Sequence, residues 1–169
     1  MLLTKSVKKA GKRVGTKHVE SLLSNYKKER WAQNSKRLGK EDSLSVWYSI
    51  EELQSFINTA KANGADGIKM YFGVYDVNTA NDVKYIGRQT VVLVASKTKE
   101  LENGTTIDKS IYVGSEGKPE ILAFNVGRVC PPNCTGTGGG GTSTEETTGF
   151  DWDNPGILID RKEEGMIVI

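Results

Sequence analysis

The chain has 169 residues, of which 37% are hydrophobic and 26% charged, enough for one domain with a real core and room for tails. No run approaches the about 18 apolar residues of a membrane-spanning helix. The amino terminus offers Leu2, Leu3 and Val7 among charges rather than the roughly 7–15 apolar residues of an export signal. The expectation is a soluble cytoplasmic protein, with non-standard export left open. The net charge of +2 hides an asymmetry: residues 1–40 carry twelve Lys or Arg against Glu20 and Glu29, a net of +10, whereas residues 41–169 carry eleven against nineteen acids, a net of −8. A basic segment of this kind suits nucleic acid, an anionic membrane surface or the acidic body of another copy, and a solvated lysine-rich tail is the plain alternative.

Residues 1–15 are basic, hold two glycines and lack periodicity, which reads as a flexible arm. Its cations are Lys8, Lys9, Lys12 and Arg13 among others. Thr16 is placed to cap a helix starting at Lys17, on which Val19, Leu22, Leu23 and Tyr26 share a face. Lys27, Lys28 and Trp31 fall toward its flanks or opposite side, and Gly39 ends the region. Ser49-Ile50-Glu51-Glu52 spells a capping box, followed by the apolar face Ile50, Leu53, Phe56, Ile57 and Ala60 and an Asn63-Gly64 stop. Val46, Trp47 and Tyr48 form its extended entry.

Residues 68–76 alternate as a strand, with Ile68, Met70, Phe72 and Val74 toward a covered face and Lys69, Tyr71, Gly73 and Tyr75 outward. The outward Tyr71 and Tyr75 make a candidate contact stripe. A second strand spans Gln89–Ser96, its Val91-Val92-Leu93-Val94 run suggesting burial on both faces. Asn103-Gly104 is a hairpin signal that folds Ile107–Val113 back on it. Gly117-Lys118-Pro119 turns the chain into a short apolar segment, Ile121–Asn125. Helices followed by hairpin-linked strands predict an α+β fold, a mostly antiparallel sheet with two helices on one face, over residues 16–134. Thr135–Gly149 is a Gly/Thr-rich linker. Beyond it Phe150, Trp152, Ile157, Ile159, Ile167 and Ile169 mark a tail of two short strands, suited to pairing with its own sheet's edge or with another subunit's.

The segments Val-Trp-Tyr-Ser-Ile-Glu-Glu-Leu from Val46, Asp-Gly-Ile-Lys-Met-Tyr-Phe-Gly-Val-Tyr from Asp66, the strand around Thr90–Ala95 and Cys-Pro-Pro-Asn-Cys from Cys130 together resemble a group of short, uncharacterised bacterial proteins over roughly residues 20–134. The resemblance implies an intact domain of bacterial type and brings no activity and no site.

Catalytic chemistry is not legible. Cys130 and Cys134 flank Pro131-Pro132, which excludes a helix interior. With His18 as the other soft ligand, zinc lacks its set. A small disulfide loop suits an oxidising compartment, and two reduced thiols in a packed loop are the default. Gly136–Gly141 matches a dinucleotide fingerprint but lacks the following helix, and the phosphate-loop lysine is missing. Asp151, Asp153 and Asn154 begin an oxygen-ligand loop that Pro155 breaks. Lone His18 and the capping carboxylates Glu51 and Glu52 make no base-and-nucleophile arrangement. The expectation is a non-catalytic interaction or self-assembly module without cofactor or metal, its partner itself or another protein. The alternative is nucleic-acid binding through residues 5–40, with Tyr26 and Trp31 available for stacking.

Overall fold

The computed structural model describes residues 10–114, 117–134, 159–162 and 165–168. It is α+β with antiparallel strands throughout. A helical stretch opens the fold: α1 (Thr16–Tyr26), a π-helical turn (Lys27–Trp31) and α2 (Ala32–Leu38). Thr16 is not the cap expected of it; Gly15 takes that position in extended geometry without a side-chain bond. Gly39 ends α2 in the left-handed region at φ 70°, where a missing Cβ removes the steric penalty. Trp31 lies on the packed side, not the outer one. The π turn holds five residues, so Tyr26 and Trp31, five apart, come round to the same side, and the Trp31 indole donates to the Asp42 carbonyl at 2.7 Å.

After the short strand β1 (Ser45–Trp47) comes α3 (Ile50–Ala62). Its capping box is complete: the Glu52 amide donates to the Ser49 hydroxyl at 3.1 Å and the Ser49 amide donates to the Glu52 carboxylate at 2.8 Å. β2 (Gly67–Val74) pairs with the long central strand β3 (Gln89–Glu100), from Gly67 opposite Ser96 to Val74 opposite Gln89. On its other side β3 pairs with β4 (Thr106–Ser110) along Ser96–Glu100 and with β7 (Ala123–Phe124) at Leu93 and Val94. Two-stranded pairings join β5 (Tyr112–Val113) to β6 (Glu120–Ile121) and β1 to β8 (Arg128–Cys130). β9 (Ile159–Lys162) and β10 (Gly165–Val168) form a hairpin with each other.

Residues opposite one another in an antiparallel pair share a face, so Ile68, Met70, Phe72 and Val74 stand on the side of Ala95, Leu93 and Val91. α3 covers that side over β3: Phe56 and Ala60 pack on Leu93 and Ala95, with Phe124 stacked on Phe56 at 5.3 Å between ring centres. A second cluster joins Tyr75, Tyr85 and Val129. Between the clusters Asn125 accepts from the Tyr75 hydroxyl at 2.9 Å and donates to the Val91 carbonyl at 2.8 Å.

Three further expectations are corrected. Tyr75 does not join Tyr71 outside; it is 3% exposed, because the chain leaves the strand after Val74 and turns its ring onto Tyr85, 5.8 Å away. Met70, Phe72 and Val74, expected under cover, are 68%, 80% and 61% exposed, since the cluster under α3 takes in Ile68 of β2 and the flanking Phe124 but none of these three. Cys130 and Cys134 are not two thiols but a disulfide, in a loop whose two prolyl bonds are cis.

Candidate interaction surface

β2 has β3 on one edge and no strand on the other among the described residues. Its exposed side chains are mostly apolar: Met70, Phe72 and Val74 on one face, Tyr71 on the other. An open edge carrying large apolar side chains is the arrangement that pairs with added strands, and proteins usually blunt it with charge. β2 offers only Lys69, whose ammonium is turned along the sheet to donate to the Asp108 carbonyl of β4.

Beside this edge lies a shallow apolar cavity of about 200 Å3. Leu23 and Tyr26 of α1 form one wall, Leu44 and Val46 another, and Phe72 and Val91 the third. α1 reaches it because α1 is amphipathic yet hardly packed: it has no fully buried residue, and Leu22 and Leu23 remain exposed. The helix is anchored from its far end. Asn34 donates to the Asp42 carboxylate at 3.1 Å, and the Asp42 amide donates to the Ser35 hydroxyl at 2.9 Å. Leu38 lies against Gly87, where an added Cβ would sit 2.4 Å from its methyl. The Tyr26 hydroxyl is buried beside Gln89 without a well-formed hydrogen bond. Burial first and the Asp42 charge second push its phenol above the usual value, with Gln89 pulling the other way.

A more polar hollow of about 250 Å3 lies elsewhere, lined by Trp47, Glu52, Asn81, Tyr85, Val126, Gly127 and Arg128. The Arg128 guanidinium sits over the Trp47 ring at 4.2 Å. Val126 adopts φ 72°, a strained choice for a β-branched residue. The next residue permits little relief, since a Cβ on Gly127 would meet Tyr48 and Val46 at 2.5 Å. Glu52 is committed to capping α3, which holds its carboxyl below the usual range through the Ser49 amide and hydroxyl. No nucleophile faces this hollow with a base beside it.

The sequence-marked residues divide accordingly. Tyr71 is on the open strand, and Tyr75 is core. Lys12 and Arg13 are exposed ahead of α1; Lys28 is exposed and Lys27 half-buried in the π turn. Lys8, Lys9, Phe150, Trp152, Ile157 and Ile169 lie outside the described residues, as does the Asp151–Asn154 loop. Ile159 and Ile167 are in the carboxy-terminal hairpin. His18 is exposed on α1, and among the described residues no three His, Cys, Asp or Glu side chains gather as a metal would need. No described helix is long and apolar enough to cross a membrane. Sequence reasoning missed Met70, Phe72 and Val74 as surface residues, because alternation assigned them a face without showing what covers it; it did not mark the half-buried Leu44 and Val46 as a cavity wall. Compared with family models, curated proteins and solved structures, the chain shows no significant match.

Proposed function

We propose that this chain is a non-catalytic protein-interaction or self-assembly module that uses the open edge of β2 and the carboxy-terminal strands tethered beyond residue 149. The observation that carries the reading is the exposure of Met70, Phe72 and Val74 on a strand edge that has no partner among the described residues. Strand addition there satisfies backbone groups on both partners and removes apolar surface from water at about 25 cal/mol per Å2. The charge segregation between residues 1–40 and the rest supports contact between copies.

Light scattering behind size exclusion, over a concentration series at low and high salt, tests it. Association that grows with concentration and is lost in Met70→Lys/Val74→Lys is the expected result. Equal masses for the parent and this variant, with circular dichroism unchanged, sink the reading.

The exposed cations of residues 12–40 favour a second reading, nucleic-acid binding. It requires absorbance from nucleic acid co-eluting at low salt and lost at high salt, since phosphate contacts release counterions. A protein free of nucleic acid at low salt, with no shift on adding any, excludes it.

A further inference from the structure

A cavity lies between α1 and β2. Its lining is mostly apolar, Leu23, Tyr26, Leu44, Val46, Phe72 and Val91 standing with Ser43, Ser45, Gln89 and Thr90, and its volume of about 200 Å3 suits one large aromatic side chain. The body exits beside it. Cys130 pairs with Ser45 and accepts from the Leu44 amide at 2.7 Å, so β8 runs against the segment that forms one wall. The disulfide holds Cys134, the last described residue of the body, 4.6 Å from Cys130 between Cα atoms. From that point fifteen residues, Thr135–Gly149, precede Phe150-Asp151-Trp152-Asp153.

We propose that Phe150–Asp153 of the same chain docks in this cavity. A Gly/Thr-rich tether of that length spans about 20 Å as a coil, and the body's exit lies next to Ser45, which pairs with Cys130 and lines the cavity. The tether holds the segment at a local concentration on the order of millimolar, above that of a second copy in dilute solution. Side chains alternate along an extended segment, which puts Phe150 and Trp152 on one face, one ring seated in the cavity and the other against the exposed side chains beside it, with Asp151 and Asp153 on the opposite face. The rim is basic. Residues 16–40 carry seven Lys or Arg against two acids, a net of +5, and residues 135–169 carry seven acids against Arg161 and Lys162, a net of −5. Docking covers Leu23 and Phe72 and brings the carboxy-terminal hairpin near β2, so that the surface offered to a partner is composite. The inference concerns one chain and stands whether or not copies associate.

The test uses the full chain with a protease site placed within Thr142–Gly149, followed by amide hydrogen exchange before and after cleavage at several protein concentrations. In the intact chain, amides of Val19–Tyr26 and Ser43–Val46 exchange slowly and independently of concentration. Cleavage accelerates them by about tenfold or more, and the intact Phe150→Ala/Trp152→Ala chain behaves like the cleaved one. Identical exchange in intact and cleaved chains overturns the proposal. Protection that rises with concentration also overturns it, by assigning the cavity to a neighbour's tail. So does protection that survives both cleavage and the double substitution, which assigns the cavity to another cover. Mass by light scattering is read separately, so loss of docking and loss of association are told apart.

Discussion

The Asp42 carboxylate accepts the backbone amide of Gln89 at 2.7 Å, joining the end of the helical region to the first residue of the central strand across 47 positions of sequence. The same oxygen accepts the Ser43 amide at 2.8 Å, and the other accepts Asn34. Asp42 is 3% exposed, and its neighbour Arg88, also buried, donates to the carbonyls of Lys84 at 2.9 Å and of Glu41. Removing the carboxylate strands two amides out of water. Asp42→Ala should lose about 2–4 kcal/mol of stability in urea unfolding. Asp42→Asn, which retains an acceptor, should lose less.

The α3 cap gives a pH-dependent signature. Glu52 has its folded pKa lowered by bonds from Ser49, so the folded state binds protons less readily than the unfolded state. The resulting stability is present above the unfolded carboxyl value and disappears as pH falls through the lower folded value. Ser49→Ala should cost about 1 kcal/mol near neutral pH. Glu52→Gln, which removes the titrating group, should flatten the acid limb of stability measured between neutral and strongly acidic pH; an acid limb as steep as the parent's would show that Glu52 contributes nothing to it.

The two tyrosines of the β2 region should respond oppositely to substitution. Tyr75→Phe leaves the Asn125 carbonyl without the hydroxyl donor 2.9 Å away and should lose about 1–2 kcal/mol in chemical denaturation. Tyr71→Ser lies on the exposed strand and should stay within about 1 kcal/mol of the parent, while weakening any association through β2.

The disulfide closes a five-residue loop that also presents Asn133 to the Tyr85 hydroxyl at 2.8 Å. Loop-closure entropy for so short a ring amounts to about 2 kcal/mol. Cys130→Ser/Cys134→Ser should lower stability by about that amount, and reductant should lower the parent's while leaving the variant's unchanged. Paired denaturation curves with and without reductant measure both.

Much of the local structure was legible in the residues. The capping box at Ser49, the stops at Gly39 and Asn63-Gly64, the alternation through β2 and the Asn103-Gly104 hairpin each depend on neighbours within a few positions, and short-range sterics and hydrogen bonding decide such features. The helix-then-strands order was enough for α+β with antiparallel pairing. Burial was a different matter. Period-two alternation told that Met70, Phe72 and Val74 share a face with the core residues of β3, but their exposure follows from where α3 lies, a long-range packing choice. Tyr75 followed the same alternation and became core because the chain turns toward Tyr85 and Asn125. Trp31 changed side through a π turn that 3.6-residue periodicity does not encode. The Cys130–Cys134 bond required the prolyl loop to bring its ends together. Sequence alone thus determined the capped helix, the main hairpin-linked strands and their order, through local geometry; only the tertiary structure decided the π turn, the pairing of Arg128–Cys130 and which faces meet, because these depend on contacts between residues far apart in the chain.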